Sequence, residues 1–490
     1  MSSGRAVRLA VGAGLTLGCL FAYGALRDWS LFERLEGAAL DLRFQARGER
    51  TPGPETVLVM IDEATLAASG GWPLSRGLLA EALVATFEQG ARVVALDLLI
   101  DSWRIPDGTS PVLEAAPSDP GDVALLQAVE TFGEDLVLPF AFVFEPGQRT
   151  APPPDSLERA AYAVHRVPSG VAELQAHPLG VVTPPLALFD TAVPAYANVL
   201  LDGAGRLRLA HPALRFGDRY YPSLAVEAVR LYLGLPKEAM TLLVGEGLRI
   251  EERLVPTDRL LRFGVGYYGP TGTFPTYSLL DLLEGRLAPG ALENKLVVIG
   301  VAALAVGDRF VTPFSRALPG AEYFATVADN LLHGRILRRD GLATGLDVLA
   351  IVLCAIAGAS LHGVRRVELG GVLALLLLGL WAAASYGAFA QRSLWLDFTF
   401  PALALILTAG TATTTRLLAE RRGQEALARY LPPLAVRRAG GANDAAPDTR
   451  LAAILFVDMR GFTTRSEDLR PAETMALMRG LHRRIEQAIT

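Results

Sequence analysis

Two sets of residues in this 490-residue chain have the types and spacing to do chemistry. Toward the C-terminus, FVDMRGFTTRSE (456–467) sets Asp458 at the end of an apolar run and just ahead of a glycine turn. An exposed carboxylate at a strand end, beside amides freed by a Gly turn, suits a metal ion that holds a polyphosphate. Taken alone, D-M-R-G-F-T is a weak pattern that a plain strand–turn–helix also produces. The second set is five acids at or near the ends of buried-strand patterns. Asp62 and Glu63 end TVLVMID (56–62) and begin the next segment, Asp97 and Asp101 close ARVVALDLLID (91–101), and Asp308 follows NKLVVIGVAA (294–303). In an open α/β sheet the carboxyl ends of parallel strands border the ligand crevice. A small-molecule or cation site is one expectation there; capping of helices and turns is the other.

The elements that would position these acids follow from periodicity. Between the first two runs, RGLLAEALVATFEQG (76–90) has apolar residues at helical spacing, follows Ser75 and closes on Gly90. Strand, helix, strand at this spacing predicts a right-handed βαβ unit with parallel strands. PGAEYFATVADNLLHG (319–334) predicts a helix with Pro at its start and Gly just past its end. Residues 28–340 are therefore expected to form an α/β domain. GVGYYG (264–269) fits the G-x-G-x-x-G dinucleotide pattern, but Pro270 and Pro275 follow where a helix would have to start, so a turn is expected.

The surroundings of that domain are apolar. Hydrophobic residues make up 51% of the chain and the mean hydropathy is +0.32, which calls for spanning segments. Four runs qualify as transmembrane helices: 9–26, 342–361, 369–390 and 394–415. Arg5 and Arg8 precede the first, which could be a secretory signal. No small-residue cleavage site follows, and RDWSLFERLEG reads as the helix continuing, so an uncleaved anchor is expected. Arg365, Arg366, Arg416, Arg421 and Arg422 flank the later runs. Placing basic flanks in the cytoplasm puts both termini inside and residues 28–340 outside. Asp347 and Asp397, near the outer ends of their spans, are expected to reach the interface without a functional role. Cys19 and Cys354 lie in apolar runs, which leaves no disulfide framework and no cysteine-based zinc site. The net charge of -5 gives no reason to expect nucleic acid as a partner.

After the last span, residues 416–450 read as a charged helix and then a linker. RLLAERRGQEALARY carries a patchy seam of Leu417, Leu418, Leu427 and Leu431, which fits a short parallel coiled coil or a solvated helix equally well. LPP (431–433) ends it, and RRAGGANDAAPDTR (437–450) is a flexible linker. LAAILFVDM (451–459) then predicts a strand, RGFTT (460–464) a turn and PAETMALMRGLHRRIEQAI (471–489) an amphipathic helix. His482 is read as a residue of that helix's polar face rather than as a phosphoacceptor.

The outer segment resembles the second type of CHASE domain, an extracellular sensor module of bacterial receptors. The matching blocks are DLRF (41–44), VLVMIDEATLAASGGWPLSR (57–76), ARVVALDLLID (91–101), FGVGYYGPTGTFPTYSLLDLLEGR (263–286) and NKLVVIGVAALAVGDRFVTPF (294–314), with PGAEYFATVADNLL after them. The resemblance implies sensing of an unidentified extracytoplasmic ligand. Residues 451–490 resemble the opening of the class III adenylyl/guanylyl cyclase domain, an α/β, ferredoxin-like fold, and ARYLPP resembles its bacterial lead-in. By that resemblance Asp458 ligates two catalytic ions, Mg2+ or Mn2+, and Met459 offers its carbonyl to one. The amides around Gly461, Phe462 and Thr463 lie along the triphosphate of ATP, or of GTP. Active sites of that family form between two catalytic domains, so a homodimer in a bacterial inner membrane is implied.

The same resemblance places the second metal-binding Asp several tens of residues past Asp458. The chain to Thr490 is thus expected to be inactive by itself, as a truncated gene product, a frameshift or a fragment. The leading expectation is a receptor that converts ATP to cyclic AMP and pyrophosphate. The alternative is a non-enzymatic membrane sensor that signals through a partner.

Overall fold

Every residue of Thr56–Ile61 is buried, and its side chains alternate between two apolar clusters, Leu58 and Met60 in one and Val57, Val59 and Ile61 in the other. A strand buried on both faces has to be covered by a layer on each side. In the computed structural model, which describes residues 2–27, 29–100, 119–144, 157–167, 178–361, 364, 366–428 and 457–489, that strand sits inside a seven-stranded sheet. Its strands are β1 (Thr56–Ile61), β2 (Val93–Leu96), β3 (Leu136–Val143), β4 (Gly180–Val182), β5 (Val193–Tyr196), β6 (Thr276–Ser278) and β7 (Leu296–Val301). The order is β6-β1-β7-β2-β3-β4, with β5 also on β3. All pairs are parallel except β3 with β4. The expected parallel unit is present, but β1 and β2 are not neighbours, because β7 lies between them in register with both.

Two helices, α1 (Ser2–Leu26) and α2 (Ser30–Arg47), precede the sheet. One face of the sheet packs against α4 (Arg76–Glu88) and α5 (Pro120–Phe132), which share a cluster with Leu79, Leu83, Leu125 and Val129; the short α3 (Glu63–Ser69) follows β1. The other face packs against α6 (Leu224–Tyr232) and α7 (Gly320–His333). Helix α7 begins after Pro319 and ends on Gly334 at φ +67°, whose N–H returns to the Asn330 carbonyl. That is the predicted Pro–Gly asymmetry. The GVGYYG segment leads into turns through Pro270 and Gly272, and no helix starts before Leu279.

Three described helices are long and apolar enough to cross a membrane, Gly341–Ser360, Glu368–Arg392 and Thr399–Arg422, and a fourth span arises if Ala10–Leu26 and Ser30–Arg47 count as one. They belong to α8 (Gly341–Ser360), α9 (Val367–Arg392) and α10 (Thr399–Ala428). Two sequence expectations change here. The first helix does not run straight out through RDWSLFERLEG; it bends by 94° before Ser30. Residues 394–398 are not helical, because Ser393 at φ +50° ends α9 and the chain then runs beside Arg338. Within residues 410–490, a second compact unit, α11 (Phe462–Glu467) and α12 (Pro471–Ile489) are formed. Asp101, Leu431, the 437–450 linker and most of the expected 451–459 strand lie outside the described residues. Val457–Met459, its described part, is not in a strand, and the helix starts at Phe462, inside the predicted turn.

Candidate functional site

The acids at the carboxyl edge of the sheet do not form one ligand shell. Asp62 caps α3: its Oδ1 accepts from the Thr65 N–H at 2.8 Å and the Thr65 hydroxyl at 2.7 Å. Burial pushes its carboxyl upward, but those two donors outweigh burial and hold it below the usual range. Glu63 Oε1 accepts from the Leu304 N–H at 3.0 Å. Asp97 is half-buried after β2, with Oδ2 beside Gly320 at the start of α7. Burial, with the Asp308 charge added, raises its carboxyl to about 7. Asp308 itself is exposed, and its main-chain oxygen accepts from the Gly320 N–H at 3.3 Å. Asp97 and Asp308 thus lie together, whereas Asp62 and Glu63 hold their own helix and loop.

In the C-terminal unit, Asp458 is exposed and its Oδ1 accepts from the Met459 N–H at 2.8 Å. Gly461 takes φ +75°, a conformation that favours glycine, and opens α11. The Met459 carbonyl accepts from the Phe462 N–H at 3.2 Å, so that amide is engaged inside the turn. Gly461 and Thr463 are exposed, as is His482 on α12.

The largest convergence of charge involves residues that sequence reading passed over or dismissed. Asp347 and Asp397 do not reach an interface; their exposures are 0% and 1%. Asp397 caps α10, accepting from the N–H groups of Thr399 at 2.9 Å and Phe400 at 3.2 Å, and its Oδ2 lies 3.3 Å from Arg339 Nη2. Asp347, on α8, accepts from the Asp397 N–H at 2.8 Å and from the Tyr23 hydroxyl of α1 at 2.9 Å. Glu36, on α2, accepts from Trp395 Nε1 at 3.0 Å and from the N–H groups of Phe398 and Thr399 at 2.7 and 3.1 Å. Arg43 lies 3.3 Å from Glu36 and donates to the Leu396 carbonyl at 2.9 Å. The Arg339 guanidinium also lies over the Trp395 ring at 4.7 Å.

This junction joins α1, α2, α8 and the start of α10 to the segment that leaves the α/β domain. Buried charges survive only where they are paired and hydrogen-bonded, and each acid here has several donors. Moving any one of these elements takes at least one donor from a buried carboxylate. Two lone acids in apolar runs were the sequence signal; Arg339, which pairs with Asp397, and the neighbouring acid Glu36 sit in ordinary charged stretches. A further group, Glu55, Asp329 and His333, brings three ligand-type atoms within 4.8 Å of one another, again with no sequence expectation attached.

A three-layer α/β domain flanked in sequence by apolar helices, and tied to the last of them through the Arg339–Asp397 pair, fits a membrane protein. The CHASE2 domain family matches residues 15–361, most of the chain, and the chain belongs to that family. CHASE2 is an extracellular sensor domain, so this protein is built to sense. No curated protein and no solved structure matches the chain at a significant level.

Proposed function

We propose that the protein is a transmembrane receptor adenylate cyclase whose extracytoplasmic CHASE2 domain controls a cytoplasmic class III cyclase domain opening at residue 451. The reading rests on FVDMRGFTTRSE, placed after a sensor domain and its apolar helices. Asp458 is solvent-exposed beside the left-handed Gly461, where a carboxylate can meet both metal and phosphate. In this proposal Asp458, with the Met459 carbonyl, holds two Mg2+ or Mn2+ ions that activate the ribose 3′-hydroxyl and neutralise the leaving pyrophosphate. The amides of Gly461 and Thr463 face the triphosphate, and that of Phe462 joins them once it leaves the Met459 carbonyl. In this proposal the site forms between the whole catalytic domains of two protomers, with both termini on the cytoplasmic side of the inner membrane.

The test is cyclic nucleotide formation by the complete reading frame in a cyclase-deficient bacterium, with Asp458→Asn alongside. Cyclic AMP should accumulate with the wild type and fall to background in the variant. Cyclic GMP in its place would change the substrate. Neither nucleotide above background would leave a non-enzymatic sensor, and an unaffected Asp458→Asn would remove Asp458 from the active site.

A further inference from the structure

The segment that brings the chain into β1 and the segment that carries it out of α7 meet at three side chains with the chemistry of metal ligands. Glu55 stands immediately before β1, and Asp329 and His333 lie one turn apart at the end of α7. Aspartate and histidine at i and i+4 share one helix face, a spacing that metal sites use. His333 Nδ1 lies 3.1 Å from the Asp329 main-chain oxygen. A proton on Nδ1 donated there leaves the Nε2 lone pair directed outward, the arrangement that prepares a histidine to ligate. That Nε2 lies 3.1 Å from Glu55 Oε2, a buried oxygen that accepts no hydrogen bond.

With the proton on Nδ1, two facing lone pairs at that separation repel unless a positive charge joins them. Among the described residues no lysine or arginine pairs with Glu55 or Asp329, although Asp329 is fully buried. The nearby cations are spent on main-chain oxygens, Lys295 on Pro54 at 2.8 Å and Arg335 on Thr51 at 3.0 Å. Asp329 is also oriented as ligating carboxylates are: Oδ1 accepts from the Gly53 N–H at 2.9 Å and Oδ2 from the Tyr268 hydroxyl, which Asn330 supports in turn. Gly53 keeps the space open, since a Cβ there would lie 2.1 Å from the His333 ring, 2.6 Å from Glu55 Oε2 and 2.7 Å from Asp329 Oδ1.

We propose that Glu55, Asp329 and His333 form a binding site for one divalent transition-metal ion of the zinc type, which clasps the inbound loop to the outbound end of α7. Two ligands each about 2.1 Å from an ion subtend about 95° when they are 3.1 Å apart, which one ion accommodates. An imidazole with two carboxylates favours Zn2+ over Mg2+ or Ca2+. Glu55 and His333 keep 34% and 24% of their side-chain surface exposed, so an ion can enter.

The experiment uses the full chain purified in detergent, stripped with EDTA and titrated with Zn2+, read by metal analysis and by melting temperature. The wild type should bind one chelatable equivalent and its melting temperature should rise until that equivalent is filled. Glu55→Gln and His333→Gln, both at partly exposed positions, should each weaken Zn2+ binding ten-fold or more while the zinc-free melting temperature holds. Wild-type protein that binds no more Zn2+ than the double variant would overturn the proposal. So would a melting temperature that ignores Zn2+ but falls as pH rises through the histidine range, because the bridging charge would then be a proton.

Discussion

The carboxyl edge of the sheet and the junction beside the apolar helices are both rich in acids, yet the acids behave differently. At the sheet edge, Asp62 holds a residue three positions away, Asp97 has a neighbouring carboxylate rather than a cation, and Asp308 is exposed. At the junction, Tyr23 and Asp347 meet across 324 residues and Glu36 reaches Thr399 across 363. The sheet edge has one local cap, at Asp62, and one long-range contact, from Glu63 to the Leu304 N–H, whereas at the junction three acids on separate elements are tied together. Side-chain ties of the junction's kind couple helices that are far apart in the chain, so a change in one is felt by the others.

The strongest way to break that comparison is Glu36→Ala set against Asp308→Asn. Removing Glu36 takes the carboxylate from beside Arg43 and strands the Trp395 indole N–H and the Phe398 N–H just before α10, all buried or partly buried. Breaking a buried pair in this way costs about 3–5 kcal/mol. The exposed Asp308 should change stability by less than about 0.5 kcal/mol. Thermal unfolding in detergent measures both, and equal effects would mean that the junction is no more structural than the edge.

How far the sequence was legible follows from the same contrast. Strands β1, β2 and β7 are unbroken apolar runs, and such runs announce themselves. The insertion of β7 between β1 and β2 is set by packing over more than two hundred positions and has no local mark. Asp347 and Asp397 stood out as lone acids in apolar runs, and the interface was offered as their outlet. Arg339 in RRD, which pairs with Asp397, and Tyr23, which bonds to Asp347, look like any other residues of their segments. Asp329 and His333 show their i, i+4 spacing openly, but nothing in TPGPE marks Glu55 as facing them. FVDMRGFTTRSE raises its expectation through a short motif, yet its described part differs locally from the predicted strand and turn, since the helix already starts at Phe462.

A second and smaller effect sharpens the claim of long-range ties. Tyr23→Phe and Asp347→Asn remove the two ends of one 2.9 Å hydrogen bond between α1 and α8. If the bond is a real tie, the double variant should lose less than the sum of the singles, with a coupling of about 1–3 kcal/mol. Additive losses within about 0.5 kcal/mol would show that the two side chains do not act together.

Asp97 tests the other side of the comparison through pH. Its carboxyl sits at about 7 in the folded domain against 3.8 for the free group, raised by burial and by Asp308. Between those values the folded state holds a proton that the unfolded state has released. Stability therefore falls as pH rises from about 4 through 7 and levels off above. Asp97→Asn removes that loss, so the variant should be more stable than the wild type at pH 8 and no more stable at pH 4. For a half-buried group screened by solvent the gain is on the order of 1 kcal/mol, a few degrees in melting temperature. Equal slopes of melting temperature against pH for the two proteins would show that Asp97 is already ionised without cost.

The smallest effect bears most directly on what the sheet edge is for. Asp62→Ala removes the cap of α3 and should cost about 1 kcal/mol. Asp62→Asn keeps an oxygen for the Thr65 N–H and hydroxyl and should cost only a few tenths, while deleting the charge. A cap is indifferent to that charge; a cation or ligand site is not. Once a stimulus for the receptor is in hand, Asp62→Asn should therefore respond like the wild type. A variant that keeps its stability and loses its response would place Asp62 on the ligand, and the carboxyl edge would then be a binding crevice.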